Sequence, residues 1–269
     1  MSEKPLELQS PSDKYLLYID ILGFRQLVEQ GQDQEVRSIL AQVAGMHVHK
    51  DRYFPVIMFS DTILIYNGWR CNGIEQHSQA VSFLCEFSQD LFQRLVPINT
   101  HFRAIIKRGS FNHEEINGKE FFFGKALIEC YDAEKDLPIT GLFIDRSIAG
   151  LNRFYQMGEW DDNFAFAYLT KSVDCLSLYG IVSPISDYGL LDGAIPLPYE
   201  FRDELLYLSN VYSLMTSHPS SRVREKHTNT WNMYQRKYGK SLDFILASNF
   251  NPSTIAPGYN WAELDDRDS

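Results

Sequence analysis

The stretch Lys14-Tyr-Leu-Leu-Tyr-Ile-Asp-Ile-Leu-Gly-Phe24 decides the fold. Tyr15 to Ile19 is an unbroken apolar run rich in strand formers, without the polar alternation of a strand that has one wet face. It therefore predicts a central strand covered on both sides. The run ends in an acid, Asp20, and then a turn glycine, Gly23. Beyond the turn a helix is expected from about Phe24, interrupted at Gly31-Gln32 and restarted with Asp33 as N-cap. Its second half carries Val36, Ile39, Leu40 and Val43 at helical spacing.

Outward from this stretch, Tyr53–Phe59 and Thr62–Tyr66 read as two strands joined by Ser60-Asp61, a hairpin spacing without the favoured Asn-Gly turn. Ile74–Leu95 shows a helical stripe (Val81, Leu84, Phe87, Leu91, Leu95) closed by Pro97. His101–Arg108 reads as a strand. A polar loop with Asn117-Gly118 follows, then a strand at Phe121–Phe123 and a helix opened by Gly124 and running to about Glu134. Gly141–Ile144 and Phe164–Leu169 are further strands. The order strand, helices, hairpin, helix, strand predicts an α+β fold, a ferredoxin-like split βαβ sheet with helices on one face. Residues 1–13 are expected as a flexible arm and 14–194 as the catalytic domain. From the Pro-rich boundary at 195–198 onward, a helical C-terminal extension with a mobile tail is expected, up to residue 269.

Hydrophobic residues make up 44% and aromatics 14% of the 269 residues, which marks a globular chain rather than a disordered one. Thirty-five acids against twenty-five bases give a net charge of −10, which argues against a nucleic-acid backbone as partner. No apolar run approaches the length of a bilayer span, and the N-terminus lacks the pattern of a signal peptide. Four scattered cysteines without a CxxC pair fit a reduced, cytoplasmic protein. GxSxG, Walker A and HExxH strings do not occur. His47 and His49 alternate as if on one face of a strand, but no third ligand is near in sequence, so a zinc site is not expected.

Asp20 and Asp61 are the residues with a chemistry. In a split βαβ sheet the end of the first strand and the tip of the hairpin are neighbours, so the two carboxylates should converge. Oxygen ligands of this kind suit Mg²⁺ or Mn²⁺, and backbone N–H groups at a glycine turn suit phosphate. Taken singly, an acid in either place is most often a turn former or helix cap; it is the pair, with the glycine turn between strand and helix, that points to a site.

Asp20-Ile-Leu-Gly-Phe24 matches, position for position, the string that ends the first strand of class III nucleotidyl cyclases. Phe59-Ser-Asp61 stands where that family carries its second metal acid. The chain more particularly resembles the pyrimidine (uridylate and cytidylate) cyclases of bacterial antiphage Pycsar systems. It shares with them Tyr18-Ile-Asp-Ile-Leu-Gly-Phe24, the Phe-Ser-Asp hairpin and Gly124-Lys-Ala-Leu-Ile-Glu129, over about residues 14–180. The resemblance implies a cyclase-type fold and two Mn²⁺ or Mg²⁺ ions held by Asp20, Ile21 and Asp61. It also implies substrate contacts from Ile21, Leu22, Gly23 and Phe24, and a homodimer with composite sites. The product would be a 3′,5′-cyclic nucleotide that signals to a separate effector protein in antiphage defence.

Two departures from the purine cyclases follow from the same resemblance. Their transition-state Asn and Arg fall here on Ile128 or Glu129 and on Asp132 or Ala133, so either another cation serves, with Lys125, Arg103, Lys107 and Arg108 as candidates, or the chain is a weakened enzyme. Their polar base readers, four residues before the second metal acid and three before the later glycine, fall on Ile57 and Phe121. An apolar and a bulky residue there imply a smaller base. Arg52 and Tyr53 are the nearest candidates to read its polar edge, which gives UTP as substrate with CTP second. A catalytically silent nucleotide sensor and a polymerase-palm-like enzyme are the competing readings.

Overall fold

The structure, a computed structural model, describes residues 12–173, 198–257 and 260–261. Strand β1 (Asp13–Ile21) lies at the centre of a sheet, antiparallel to β3 (Thr62–Tyr66) on one side and to β4 (Phe102–Ser110) on the other. Strand β2 (Val56–Phe59) pairs outside β3, which gives the order β2-β3-β1-β4. Helices α1 (Phe24–Glu29) and α2 (Asp33–Ala44) connect β1 to β2, and α3 (Ile74–Leu95) connects β3 to β4. This is the expected split βαβ arrangement of an α+β protein. Beyond β4 the sheet continues through the parallel β7 (Gly141–Asp145), then β9 (Phe164–Ala167) and β8 (Met157–Glu159), to seven strands.

The apolar run earns its central place by burial: Tyr15 to Ile19 are each at most 4% exposed. Each such aliphatic side chain contributes about 1.5–3 kcal/mol by leaving water. Successive strand side chains point to opposite faces. Tyr15, Leu17 and Ile19 face α3, where the Tyr15 hydroxyl meets His77 Nδ1 at 2.7 Å. Leu16, Tyr18 and Asp20 face the other way, towards α4 (Lys125–Asp136). Helices therefore cover both faces rather than the single face expected. Gly109 on β4 permits this close approach, since a Cβ there would already touch that of Ala126 at 3.4 Å.

Local differences have local causes. Strand β2 begins at Val56 rather than Tyr53, behind Pro55, which has no N–H to give a ladder. Asn117-Gly118 is the tip of a two-stranded ribbon, β5 (Asn112–Ile116) with β6 (Lys119–Phe123), where a loop was expected before Phe121. Both tip residues have positive φ, 53° and 73°, as a two-residue hairpin turn requires. Gln32, not Asp33, is the N-cap of α2. His47 and His49 lie in a 3₁₀ turn (His47–Lys50), where residues two apart do not share a face.

At the C-terminal side, α6 (Pro198–Ser217) and α7 (Ser221–Ala247) pack together and against the sheet. Thr230 Oγ1 lies 2.9 Å from Thr140 Oγ1, and the Tyr234 ring packs against those of Phe166 and Tyr168. The buried Glu204 carboxylate accepts N–H bonds from Ser172 and Val173, and burial lifts its pKa to about 8. The boundary expected near 195, the tail from 262 and residues 1–11 of the arm lie outside the described residues. Asp13, the last residue of the expected arm, already belongs to β1 and pairs with Arg108 at 2.7 Å. Among the described residues no helix is long and apolar enough to cross a membrane.

Candidate active site

The structure places the two acids at adjacent strand ends, near enough for the Asp61 charge to act on Asp20. Asp20 is the last residue but one of β1, Asp61 sits at the tip of the β2–β3 hairpin, and the Ile21 N–H donates to the Asp61 carbonyl at 3.0 Å. In an antiparallel ladder the N–H and C=O of one residue point to the same neighbour, so the Ile21 carbonyl also faces Asp61. Ser60 makes the tight tip possible with a left-handed φ of 55°, uncommon for a residue with a Cβ. By register, Phe59, Thr62, Asp20 and Arg103 form one row across the sheet on the α4 face.

The row carries a charge cluster. Arg103 Nη2 lies 3.6 Å from Asp20 Oδ2 and bonds Glu134 of α4, while its Nη1 bonds the Leu137 carbonyl. The Arg103 side chain is only 5% exposed. Burial raises the Asp20 pKa to about 6, with the Glu134 carboxylate adding to it; the Arg103 cation opposes the rise and the Asp61 charge adds to it. Glu134 is a residue that reading the sequence did not find. It lies 31 residues from Arg103 and in no local motif, so only the packing of α4 on β4 reveals it.

Of the four cations considered, Arg103 alone sits at Asp20. Lys107 pairs with Asp145 at 2.6 Å and Glu129 at 3.4 Å, and Arg108 pairs with Asp13. Lys125 lies exposed at the start of α4, 3.4 Å from Glu129 of its own helix, and makes no ion pair with Asp20 or Asp61. The glycine turn is formed as expected, with Gly23 at φ 82°. Its cradle is smaller, however. The Leu22 N–H is spent on the His101 carbonyl at 2.9 Å and that of Ile21 on Asp61. The N–H groups that open α1, from Gly23 onward, have no carbonyl a turn back. The Phe24 side chain is buried beneath them.

Among the described residues no three acid, His or Cys side chains form a ready-made metal cage. Asp20, Asp61 and the Ile21 carbonyl lie at adjacent strand ends and offer hard oxygens of the kind that suits Mg²⁺ or Mn²⁺. The raised Asp20 pKa comes first from burial and then from the Glu134 and Asp61 charges, and a dication at Asp20 and Asp61 would offset both.

No family model matches the sequence. No curated protein matches it either. Among solved structures, the chain is similar to the adenylyl cyclase CyaB from P. aeruginosa, at 10% identity and TM-score 0.42, covering 58% of this chain and 93% of that one. It is similar to the guanylate cyclase domain of RhGC from Catenaria anguillulae in complex with GTP, at 9% identity and TM-score 0.44, covering 58% and 96%. A bacterial light-regulated adenylyl cyclase is similar at 13% identity and TM-score 0.43, and the match spans 58% of this chain but only 52% of that one. At these values the likeness carries nothing about substrate or chemistry. The fold class rests on the strand register given above.

The residues expected to read a base divide. Ile57 is buried on the α4 face of the sheet, opposite Leu64, one row up from Asp20. Phe121 is 45% exposed on β6, whose Phe122 stacks on Phe59 at 5.6 Å between ring centroids. Arg52 and Tyr53 do not join them. They bond each other, Nη2 to hydroxyl at 2.6 Å, and the Tyr53 carbonyl accepts from Gly68 beyond the far end of β3. Within one protomer that is about 20 Å of strand away from Asp61.

Proposed function

We propose that the chain is a nucleotide cyclase that converts a pyrimidine nucleoside triphosphate, UTP before CTP, into the 3′,5′-cyclic nucleotide and pyrophosphate. The observation that carries this reading is the placement of Asp20, Ile21 and Asp61 at the ends of two adjacent strands, beside the Gly23 turn. In the reaction the ribose 3′-oxygen bonds to the α-phosphorus, its proton leaves, and the bond from that phosphorus to the pyrophosphate oxygen breaks. Divalent ions, when bound, favour loss of the hydroxyl proton and offset charge on the departing pyrophosphate. Asp20 and Asp61 would hold them. Arg103 fixes the Asp20 carboxylate through a guanidinium that is itself locked by Glu134 and the Leu137 carbonyl. Ile57 and Phe121, on the pattern of the family it resembles, leave no polar group for a purine edge, which supports the smaller base.

A homodimer is part of the proposal. Phe59, Phe121, Phe123, Ile128 and Tyr131 are large apolar side chains between 44% and 63% exposed, carried by the hairpin, the ribbon and α4. A second copy would cover them. The resemblance to Pycsar cyclases supports a role in antiphage signalling, with a separate effector protein reading the cyclic nucleotide.

The test is incubation with each of UTP, CTP, ATP and GTP and Mn²⁺, with products identified by mass spectrometry. Cyclic UMP should form fastest. Faster cyclisation of ATP or GTP would overturn the pyrimidine assignment. Two observations favour a second reading, a nucleotide-binding sensor without turnover. Asp20 already has a cationic partner in Arg103, and the Asn and Arg positions of the purine cyclases are filled by Ile128 or Glu129 and Asp132 or Ala133. Binding of UTP with no cyclic product from any nucleotide would select it.

A further inference from the structure

A cavity of about 450 Å³ lies between the turn that follows Asp20 and the C-terminal helices. Leu22 and Gly23 line one side, and Lys226 and His227 of α7 line another. Its volume falls in the range of small-molecule sites. Three features of its α7 wall point to an anion.

First, Lys226 is half-buried, and among the described residues no carboxylate comes within ion-pair distance of it. Burial and the neighbouring Arg103 and Arg222 charges depress its pKa, while Asp20 and Glu134 oppose this, so Lys226 lies within the electrostatic reach of the Asp20 cluster. A desolvated cation without an acid partner is costly unless an anion joins it. Second, His227 is 4% exposed, and its Nδ1 has no hydrogen-bond partner among the described residues. The Nε2 of His101, which also lines the cavity, is likewise unpartnered. The two rings pack edge to face at 4.8 Å, and burial lowers the pKa of His101 to about 3 and that of His227 to about 4, so both are neutral. Each can give one N–H to an anion only after a small ring movement, since the two unpartnered nitrogens are covered. Third, these donors concentrate on one wall in a chain of net charge −10. Glu35 is the carboxylate on the lining, carried by α2.

We propose that this cavity takes the polyphosphate tail of the nucleotide, with Lys226 of the C-terminal extension as its principal phosphate-binding residue and His227 as a second donor. The inference rests on the reading of the Asp20 site as a nucleotide site and deepens it. The cation that the cyclase resemblance leaves without an owner comes from α7, outside the ferredoxin-like sheet. The extension is thereby part of the site, and the nucleotide spans from the Asp20–Asp61 pair to the helical pair.

Inorganic tripolyphosphate is the probe, titrated by calorimetry into the full chain with Mn²⁺ present. The wild type should bind it, UTP should displace it, and Lys226→Met should weaken it at least tenfold. Lys226→Arg, which keeps the charge, should stay within about threefold of wild type. Unchanged affinity in Lys226→Met overturns the proposal. So does equal loss in Lys226→Arg and Lys226→Met, because packing rather than charge is then being read. If Lys226→Met does not fold, Lys226→Gln is read against the same two outcomes. Tripolyphosphate that no nucleoside triphosphate displaces marks a free-anion site and also overturns it. The cyclase reading fails separately: if no nucleotide is cyclised while Lys226-dependent binding and displacement by UTP persist, the phosphate site stands and turnover does not.

Discussion

Asp20 and Arg103 face each other across β1 and β4, with Arg103 Nη2 3.6 Å from Asp20 Oδ2, and the guanidinium continues to Glu134 on the helix above. The pairing joins the strand that ends in the candidate metal acid to the helix that covers it. It also makes Arg103 the only buried cation holding two carboxylates at this end of the sheet among the described residues.

Asp20→Asn and Asp61→Asn should each lower Mn²⁺-dependent cyclisation by about 10²-fold or more, because each removes an ion ligand without opening the core. Both variants should keep the wild-type far-UV circular dichroism spectrum. Near-normal turnover in either at limiting Mn²⁺ would refute the ligand assignment.

The Asp20 carboxyl also predicts a stability effect whose sign is fixed. Its folded pKa of about 6 lies above its ordinary 3.8, so the folded state holds the proton more tightly than the unfolded one. The ionised form therefore costs stability above about pH 6, and the cost disappears as pH falls towards 4. Asp20→Asn should be more stable than wild type at pH 7.5 in the absence of metal, by about 1–3 kcal/mol. The two should converge near pH 4. Thermal melts across this range with chelator present decide it, and a less stable Asp20→Asn at pH 7.5 would contradict the charge argument.

Ion binding at the same carboxylate must displace its proton. Apparent Mn²⁺ affinity should be flat above about pH 7 and fall by up to tenfold per unit below about pH 6, with proton release visible as buffer-dependent heats in calorimetry. An affinity unchanged between pH 7 and pH 5 would mean that Asp20 is not a ligand.

Arg103→Met leaves Asp20 and Glu134 together in a poorly solvated place with no cation between them. Removing one partner of a buried ion pair costs about 3–5 kcal/mol. Arg103→Lys should recover only part of this, since one ammonium cannot replace the forked contacts to Glu134 and the Leu137 carbonyl. The double variant Arg103→Met, Glu134→Gln should be more stable than Arg103→Met alone in urea unfolding.

Gly124 is the joint between β6 and α4, with φ 154° and with the Ser110 carbonyl where a Cβ would have to be. Gly124→Ala should therefore push the start of α4 off β4 and destabilise the chain by more than an ordinary exposed glycine replacement costs. Gly118→Ala, at the ribbon tip with open space around it, pays only for its φ of 73°. A smaller loss at Gly124 than at Gly118 in matched denaturation curves would disprove this.

What the sequence determined by itself is what local pattern and topology control. The apolar run Tyr15–Ile19, rich in strand formers, read as a doubly covered strand, and the order of elements implied a split βαβ sheet. Two acids at the ends of neighbouring strands were then expected near each other, because a hairpin paired to the first strand holds its tip beside that strand's end. Ile74–Leu95 and Thr62–Tyr66 were legible to the residue, since one has a clean helical stripe and the other stands between a turn and a glycine. The tertiary structure alone decided which charges meet. Arg103, Lys107 and Arg108 look alike along β4, yet register hands them to Asp20, Asp145 and Asp13 respectively. Arg52 and Tyr53 lie only a few residues from Ile57 in sequence, but the strand carries them to the far end of the sheet. Glu134 carries no local mark of function, and it reaches Arg103 only because α4 packs on β4. Spacing along a chain sets which face a side chain takes, whereas long-range packing sets what it finds opposite.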